Sequence, residues 1–489
     1  MKIKDLFSYC GLLIAALMYV FIVFDVIVNP MNPDFAISAK VLVPLMLFMA
    51  IALMAGVYIY RKIKYKKLLL LFGFCILAFF QAVTINQLAV RYDVESWDMG
   101  VVFNAAQYYV TNGTFDMGKY DYFLWFPNNS PLYNIFIFLF RIFAALGITN
   151  VQLALNIFNA GLLLASAWFI EKTVQVAVGQ EYTGVGVMMC VVLCPFSLYA
   201  VLAYTDTFSM IFLSAALYFY VCTVKGKGNR FINLVMFSLL VAFGASMKVS
   251  VLVLAIAALI DIVMKSENIR QTVISFALVA AITFGGFTGF KYAHEHSPFL
   301  PEYDYNLTIP YTHWVMMGLN GLGGYCDDDY QLITLKQPDV ASRQNANIEE
   351  IKNRIASKGP VGMIYHIINK LSYIYSDGTF TACYKLDRSA VSVSPLHDYV
   401  IYLGSKFYYL GYFSLALFMA MLSMISAGIF KSIIKRDTSA LMPAISLVGV
   451  TIFLLLWEAR ARYILNFLPL FILMTVFGIK QLFYHDKNQ

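Results

Sequence analysis

Long apolar runs separated by short polar tips recur along the whole chain. A helix that crosses a bilayer needs about 20 mostly apolar residues. By that measure the runs predict spans at 9–28, 41–60, 68–90, 150–173, 183–203, 207–224, 231–247, 250–264, 272–292, 405–430, 439–457 and 464–481. The pair 231–247 and 250–264 is short enough to be a tilted or re-entrant hairpin instead. Two polar segments, 91–149 and 293–404, break the rhythm. Within the first, 98–111 and 131–146 have helical apolar spacing interrupted by polar groups, and 361–376 in the second is similar. Such stretches predict helices lying along an interface. The pattern as a whole predicts an all-α polytopic membrane protein of about 12 transmembrane helices, with interfacial helices in two large outer loops.

Charge assigns the sides. The runs RKIKYKK (61–67), KGKGNR (225–230), KSENIR (265–270) and KSIIKR (431–436) each follow an even-numbered span, and they share one face with Lys2 and Lys4. Basic loops mark the cytoplasmic face, so both termini are expected there. The segments 91–149 and 293–404 then lie outside, with the shorter tips 204–207, 244–250 and 458–463. Trp97, Trp125, Trp314 and Trp457 map to the same outer face, as interfacial aromatics do. No internal repeat or low-complexity stretch is present.

Composition agrees with this picture. Of 489 residues, 60% are hydrophobic and 13% charged, against roughly 25% charged in soluble domains. The mean hydropathy is +0.71. A net charge of +7 is what positive-inside loops produce, so it does not indicate a nucleic-acid partner. The first apolar run is full-length and ends without a small-residue cleavage site, so it reads as a retained span. Cys10, Cys75, Cys190, Cys194 and Cys222 sit in apolar runs as small hydrophobes. Cys326 and Cys383 share the second outer loop, where they could pair as a disulfide. With no CxxC pair and no His-rich cluster, a structural zinc site is not expected.

The candidate chemistry lies at the outer edge. Asp93, Glu95 and Asp98 fall within six residues where a span leaves the bilayer, a place where charge is costly to hold. An Asp at a helix start is often only a cap. Three carboxylates beside Trp97, however, repel one another, and that raises one pKa as a general base requires. Asp206 in YTDT opens the next outer turn, again as a cap or as an acidic site residue. Lys248 in GASMKVS either snorkels or meets a lipid phosphate. EARARY (458–463) sets Arg460 and Arg462 beside Tyr463, against the charge bias, and a guanidinium fork suits phosphate. Lys370 in HIINKLSYIYSDG reaches a phosphate or faces headgroups.

Other motifs read more simply. Asp327–Asp328–Asp329 offers hard oxygens to a divalent cation, yet a solvated turn explains it as well, so no metal or cofactor is expected. His313 and His366 read as structural. Asn112, Asn128 and Asn306 open N-x-[ST] sequons. Tyr108, Tyr109, Tyr120, Tyr122 and Tyr133 would stack on sugar faces or pack at the interface.

A span leading to Asp98, a helix with Ala106 and Gly113, and the aromatic-rich YFLWFPNNSPLYN are followed in order by YTDT, MKVS, WVMMGLNGLGG, NKLSYIYSDGTF and WEARARYILNFLP. This succession, over residues 68–480, resembles the GT-C superfamily of polyprenyl-phosphosugar glycosyltransferases. Protein O-mannosyltransferases and the lipid A aminoarabinose transferase are members, and YFLWFPNNSPL looks like a stretch of Gram-positive members. The resemblance implies a GT-C-like core at 68–292 with its catalytic first outer loop at 91–149. Two extra spans precede it in 1–67, and the large outer loop 293–404 and the C-terminal spans 405–489 follow. It implies Asp98 as catalytic base, with Asp93 or Glu95 as alternatives, and Asp206 as the acidic residue at the next outer turn. Lys248, Arg460 and Arg462 would face the phosphate of the lipid donor.

The implied activity is inverting transfer of a sugar from a polyprenyl phosphate, without a cofactor, at the extracytoplasmic face of the plasma membrane. The acceptor would be a cell-envelope glycan, glycolipid or protein. A lipid-linked-sugar flippase and an envelope polysaccharide polymerase are the rival expectations. A flippase would hold its charges near the midplane on broken helices in repeated halves. Asp25 and Arg141 count as intramembrane charges, but the first lies outside the resemblance and the second falls on an expected interfacial helix. A polymerase would rely on outer-loop arginines and lack the acidic base.

Overall fold

A computed structural model describes residues 3–93, 97–116, 121–302 and 304–483. Glu95, Tyr120 and Lys2, on which expectations above fall, lie outside them. The described chain is helical, with one isolated antiparallel bridge between Val90 and Ala390. In chain order the principal helices are α1 (Ile3–Val28), α2 (Ala39–Lys62), α3 (Lys66–Gln87), α4 (Asp98–Asn112), α5 (Ser130–Ala145), α6 (Val151–Ala177), α7 (Val185–Val192) and α8 (Thr205–Val224). They continue with α9 (Arg230–Met247), α10 (Leu252–Met264), α11 (Ile269–Glu295), α12 (Val340–Tyr375), α13 (Ala382–Leu386), α14 (Phe407–Ile434), α15 (Leu441–Leu456) and α16 (Leu468–Phe483).

Among the described residues nine helices are long and apolar enough to cross a membrane: α1, α2, α3, α6, α8, α9, α11, α14, and α16 with the tight turn Ala461–Phe467 before it. A tenth is the pair Gln180–Val192 and Pro195–Val201, bent by 70°. The protein is therefore an all-helical integral membrane protein with nine or ten candidate spans among the described residues. The other two expected spans, 250–264 and 439–457, are the shorter apolar helices Val249–Met264 and Leu441–Leu456.

Local sequence explains several boundaries. Asn150, Asn229 and Asn268 each accept a backbone N–H of the helix they precede, relieving donors that have no intrahelical partner. The 70° bend falls at Pro195, which lacks an N–H. Buried side chains satisfy the backbone exposed there: Gln81 Nε2 donates to Phe196 O at 2.9 Å, and Asn159 Nδ2 to Tyr199 O at 2.7 Å. The expected helix at 361–376 is the second half of α12, beyond a kink at Gly359 (φ +58) and Pro360.

At the centre, α14 packs along α16, both mostly buried. A Cβ on Gly428 would lie 2.2 Å from Gly478 Cα, and one on Gly478 would lie 2.2 Å from Met424 O. Such backbone contact is how membrane helices gain van der Waals energy where lipid offers no hydrophobic drive. The first two helices pack on α14, so 1–67 is joined to the C-terminal spans. By contrast, α2, α3 and α11 present most of their apolar surface outward.

The polar segments gather at one end. Val391 N donates to Ala89 O (2.8 Å), Ala459 N to Gly323 O (2.7 Å), and Asn32 Nδ2 to Ser376 O (3.0 Å). These bonds tie the segments after α1, α3, α11 and α15 into one cap. All seven cysteines are free. The Cys326–Cys383 pairing is thus corrected: Cys383 is fully buried, while Cys326 is half-buried and unbonded to it.

Candidate functional site

Asp98 is the first residue of α4, and Trp97 holds the N-cap position without a side-chain capping bond. Asp98 is therefore not the cap; it sits at the helix's positive end. The Tyr204 hydroxyl lies 3.2 Å from Asp98 Oδ2 and 3.0 Å from Asn129 Oδ1, one proton serving either acceptor. Asn129 Nδ2 in turn donates to the Tyr122 hydroxyl. Burial, with the Asp98 charge alongside, holds both tyrosine hydroxyls well above their usual pKa, so they remain protonated. The aromatic-Pro-Asn-Asn stretch and the YTDT turn thus meet at one carboxylate.

In the first turn of α8, Asp206 pairs with Lys248, the C-cap residue of α9. Both are largely buried, with side chains 4% and 13% exposed, so this is an ion pair and not a helix cap. Burial lowers the Lys248 pKa while Asp206 opposes the shift. Lys248 Nζ also lies 5.0 Å from the centroid of the Tyr463 ring.

The tip 458–463 closes the site. The Arg462 guanidinium lies 5.0 Å from the Tyr463 ring centroid and 5.8 Å from that of Tyr204. Arg460 lies 4.7 Å from the Tyr384 ring. The Tyr463 hydroxyl donates to Glu458 Oε1 at 3.0 Å. Burial raises the Glu458 pKa against the opposing pull of Arg462 and Arg460. Among the described residues, Trp97 Nε1, Arg460 Nε and Arg462 Nε are buried donors with no hydrogen-bond partner. Buried donors are rarely left unmade. Three such donors, on the residue before Asp98 and on the 458–463 tip, call for an acceptor from outside the chain.

The remaining sequence candidates go elsewhere. Lys370 Nζ donates to Gly318 O (2.7 Å), Leu455 O (3.1 Å) and Trp457 O (2.6 Å). All three ammonium protons are spent joining α12 to the 318 turn and to the end of α15, where Trp457 stacks on Trp314 at 5.5 Å. Lys370 holds the cap together and has no proton left for a phosphate. Asp93 is exposed between the bridge and α4.

Asp329 is buried and takes Arg354 through both oxygens at 2.7 Å. No group of residues able to hold a metal ion occurs among the described residues. His313 bonds Thr334 Oγ1 (2.7 Å) and His366 bonds Gly318 O (3.0 Å), both in buried networks. Tyr133 is fully buried and donates to Phe299 O, so its ring offers no open face.

Sequence reasoning passed over Tyr204, Asn129 and Glu458, and also the basic pair in KLDR (385–388). Lys385 Nζ lies 3.8 Å from the Trp97 ring centroid, and Arg388 lies 5.4 Å from it. The available signal was the one used for EARARY, basic residues in a segment expected on the outer side.

Residues 2–483 match a protein family described as conserved hypothetical integral membrane protein. No curated protein and no solved structure matches the chain.

Proposed function

The chain belongs to this family of integral membrane proteins, and we propose that it is a glycosyltransferase that moves a sugar from a polyprenyl phosphate to a cell-envelope acceptor. The observation that carries the reading is the set of partnerless buried donors on Trp97, next to Asp98 in the chain, and on Arg460 and Arg462 of the 458–463 tip. An anionic, oxygen-rich ligand supplies the acceptors they lack, and a phosphate matches a guanidinium best. Asp98 supplies the base. It takes the proton of the acceptor hydroxyl as that oxygen attacks the anomeric carbon, and the polyprenyl phosphate leaves from the opposite side with inversion.

Arg460 and Arg462 receive the charge that develops on the leaving phosphate. Lys248 holds Asp206 ionised beside them, so the pair adds structure without adding net charge. The Tyr204 proton, shared between Asp98 and Asn129, fixes the orientation of the base. On this reading the cap lies on the extracytoplasmic side of the plasma membrane and both termini in the cytoplasm, as the basic runs support. A polyprenyl donor reaches that side embedded in the bilayer.

A feature that favours a flippase is the span broken at Pro195, since transport sites use discontinuous helices. Two carbonyls beyond the break, those of Phe196 and Tyr199, are however already bonded to Gln81 and Asn159. Asp25 lies in the last turn of α1, and Arg141 rests 4.9 Å from the Phe299 ring, so neither marks a midplane site. The donor test is transfer by membranes given radiolabelled polyprenyl phosphosugar or radiolabelled nucleotide sugar. The reading expects label to pass from the lipid donor alone. Transfer from the nucleotide sugar in lipid-depleted, purified protein contradicts it.

A further inference from the structure

The second large polar segment delivers a lysine to the same corner by a strained route. Phe380 and Thr381 are consecutive non-glycine residues in the left-handed region, at φ +54 and +67. Such residues cost on the order of 1 kcal/mol or more each and persist only where surrounding structure dictates them. Here it does. Asp377 accepts from Thr379 N (2.8 Å), Thr379 Oγ1 (2.6 Å) and Thr381 N (2.7 Å), and Tyr199 donates to Phe380 O at 2.5 Å. Gly378 is pressed so closely on α14 that a Cβ there would lie 2.3 Å from the Ser414 carbonyl.

The short helix α13 follows at once and carries Lys385 onto the Trp97 ring. Lys385 is 6% exposed, and among the described residues it takes part in no ion pair. A buried ammonium without a carboxylate partner is expensive. Contact with an indole face returns only about 2 kcal/mol when desolvated. The charged groups facing it are Arg388 on its own segment, Arg460 and Arg462 on the tip, Asp98 on α4 and Asp206 on α8. Three of these five are cations.

We propose that Lys385 is a phosphate-binding residue of this site, that it contacts the anionic group of the polyprenyl donor, and that it takes up a proton as that anion binds. The inference rests on the phosphosugar reading above and adds a residue and a proton to it. Burial, with Arg462 and Arg388 alongside, holds the Lys385 ammonium well below the usual lysine range in the empty site. An arriving phosphate supplies the missing counter-charge and raises that pKa. Donor affinity then falls with rising pH above the free-site value, by up to about tenfold per unit.

The test is equilibrium binding of radiolabelled farnesyl phosphate, with farnesol as the neutral control, to purified full-length protein in detergent. Measurements run from about pH 7.5 to 9.5, above the second phosphate ionisation near 6. Wild type should prefer the phosphate and lose affinity across that range. Lys385→Met should weaken phosphate binding about tenfold or more while leaving farnesol binding and melting temperature unchanged. Lys385→Arg should keep the affinity and lose its pH dependence, because a guanidinium stays charged. If Lys385→Met binds farnesyl phosphate as tightly as wild type, Lys385 only packs and the inference is overturned, with the phosphosugar reading intact. If wild type does not distinguish farnesyl phosphate from farnesol, the reading itself falls.

Discussion

Tyr204 joins the two acidic motifs of the molecule: its hydroxyl reaches Asp98 Oδ2 at 3.2 Å, and its own residue caps the helix that carries Asp206. Asp98 and the ion pair at Asp206, 108 positions apart in the chain, are thereby held as one unit. Arg462 over the Tyr204 ring adds the tip to that unit.

Tyr204→Phe removes the hydroxyl and keeps the ring. A hydrogen bond to a charged group contributes about 2 kcal/mol, so kcat/KM should fall roughly thirtyfold. The melting temperature should fall as well, because the buried Asn129 Oδ1 loses its donor while Arg462 still rests on the ring. Steady-state kinetics beside a thermal melt separates the two effects.

Breaking the Asp206–Lys248 pair from one side strands a buried charge. Asp206→Asn or Lys248→Met should each cost about 3–5 kcal/mol of stability. The double variant Asp206→Asn/Lys248→Met should recover much of that loss. Denaturation of all four proteins in one detergent gives the cycle, and additive single losses would remove the pair from the account.

Gly428→Ala inserts a methyl where Gly478 Cα stands 2.2 Å from the added atom. Forcing α14 from α16 should destabilise the protein by about 1–3 kcal/mol. The same change at Gly56, which has nothing within 4 Å, should be nearly neutral. Paired thermal melts of the two variants check the contact.

Glu458 makes stability depend on pH in an unusual direction for a carboxylate. Burial raises its folded pKa above the ordinary 4.5, so the folded state holds the proton more tightly than the unfolded chain. The contribution is fully present below the unfolded value and is lost as pH rises through the folded one. Glu458→Gln should flatten that part of the stability profile while keeping an acceptor for Tyr463. Melting temperatures of both proteins from about pH 4.5 upward test this; parallel curves would show that Glu458 does not titrate there.

Apolar run length carried most of the fold, because a helix in lipid must satisfy its own backbone. Length alone does not separate a full span from a shorter apolar helix such as Val249–Met264 or Leu441–Leu456. Residue type at the outer edge pointed to Asp98, Asp206, Lys248, Arg460 and Arg462, since charge there is costly and needs a reason. Lys370 looked equally suitable. Only the three carbonyls around its ammonium reveal that it is spent, and carbonyl positions are a property of tertiary structure. Lys385 was hidden because its place depends on the left-handed turn at Phe380 and Thr381, which no residue preference announces. Tyr204 was hidden because its role is a contact across 106 positions.

The central claim is that Asp98 is the base in sugar transfer from a lipid phosphate. Its most direct test is the rate of transfer from radiolabelled polyprenyl phosphosugar by wild type, Asp98→Asn and Asp93→Asn, with folding verified by thermal melt. The account predicts a loss of about 10²–10⁴-fold for Asp98→Asn and near-wild-type rates for Asp93→Asn. Full activity in folded Asp98→Asn protein would contradict it.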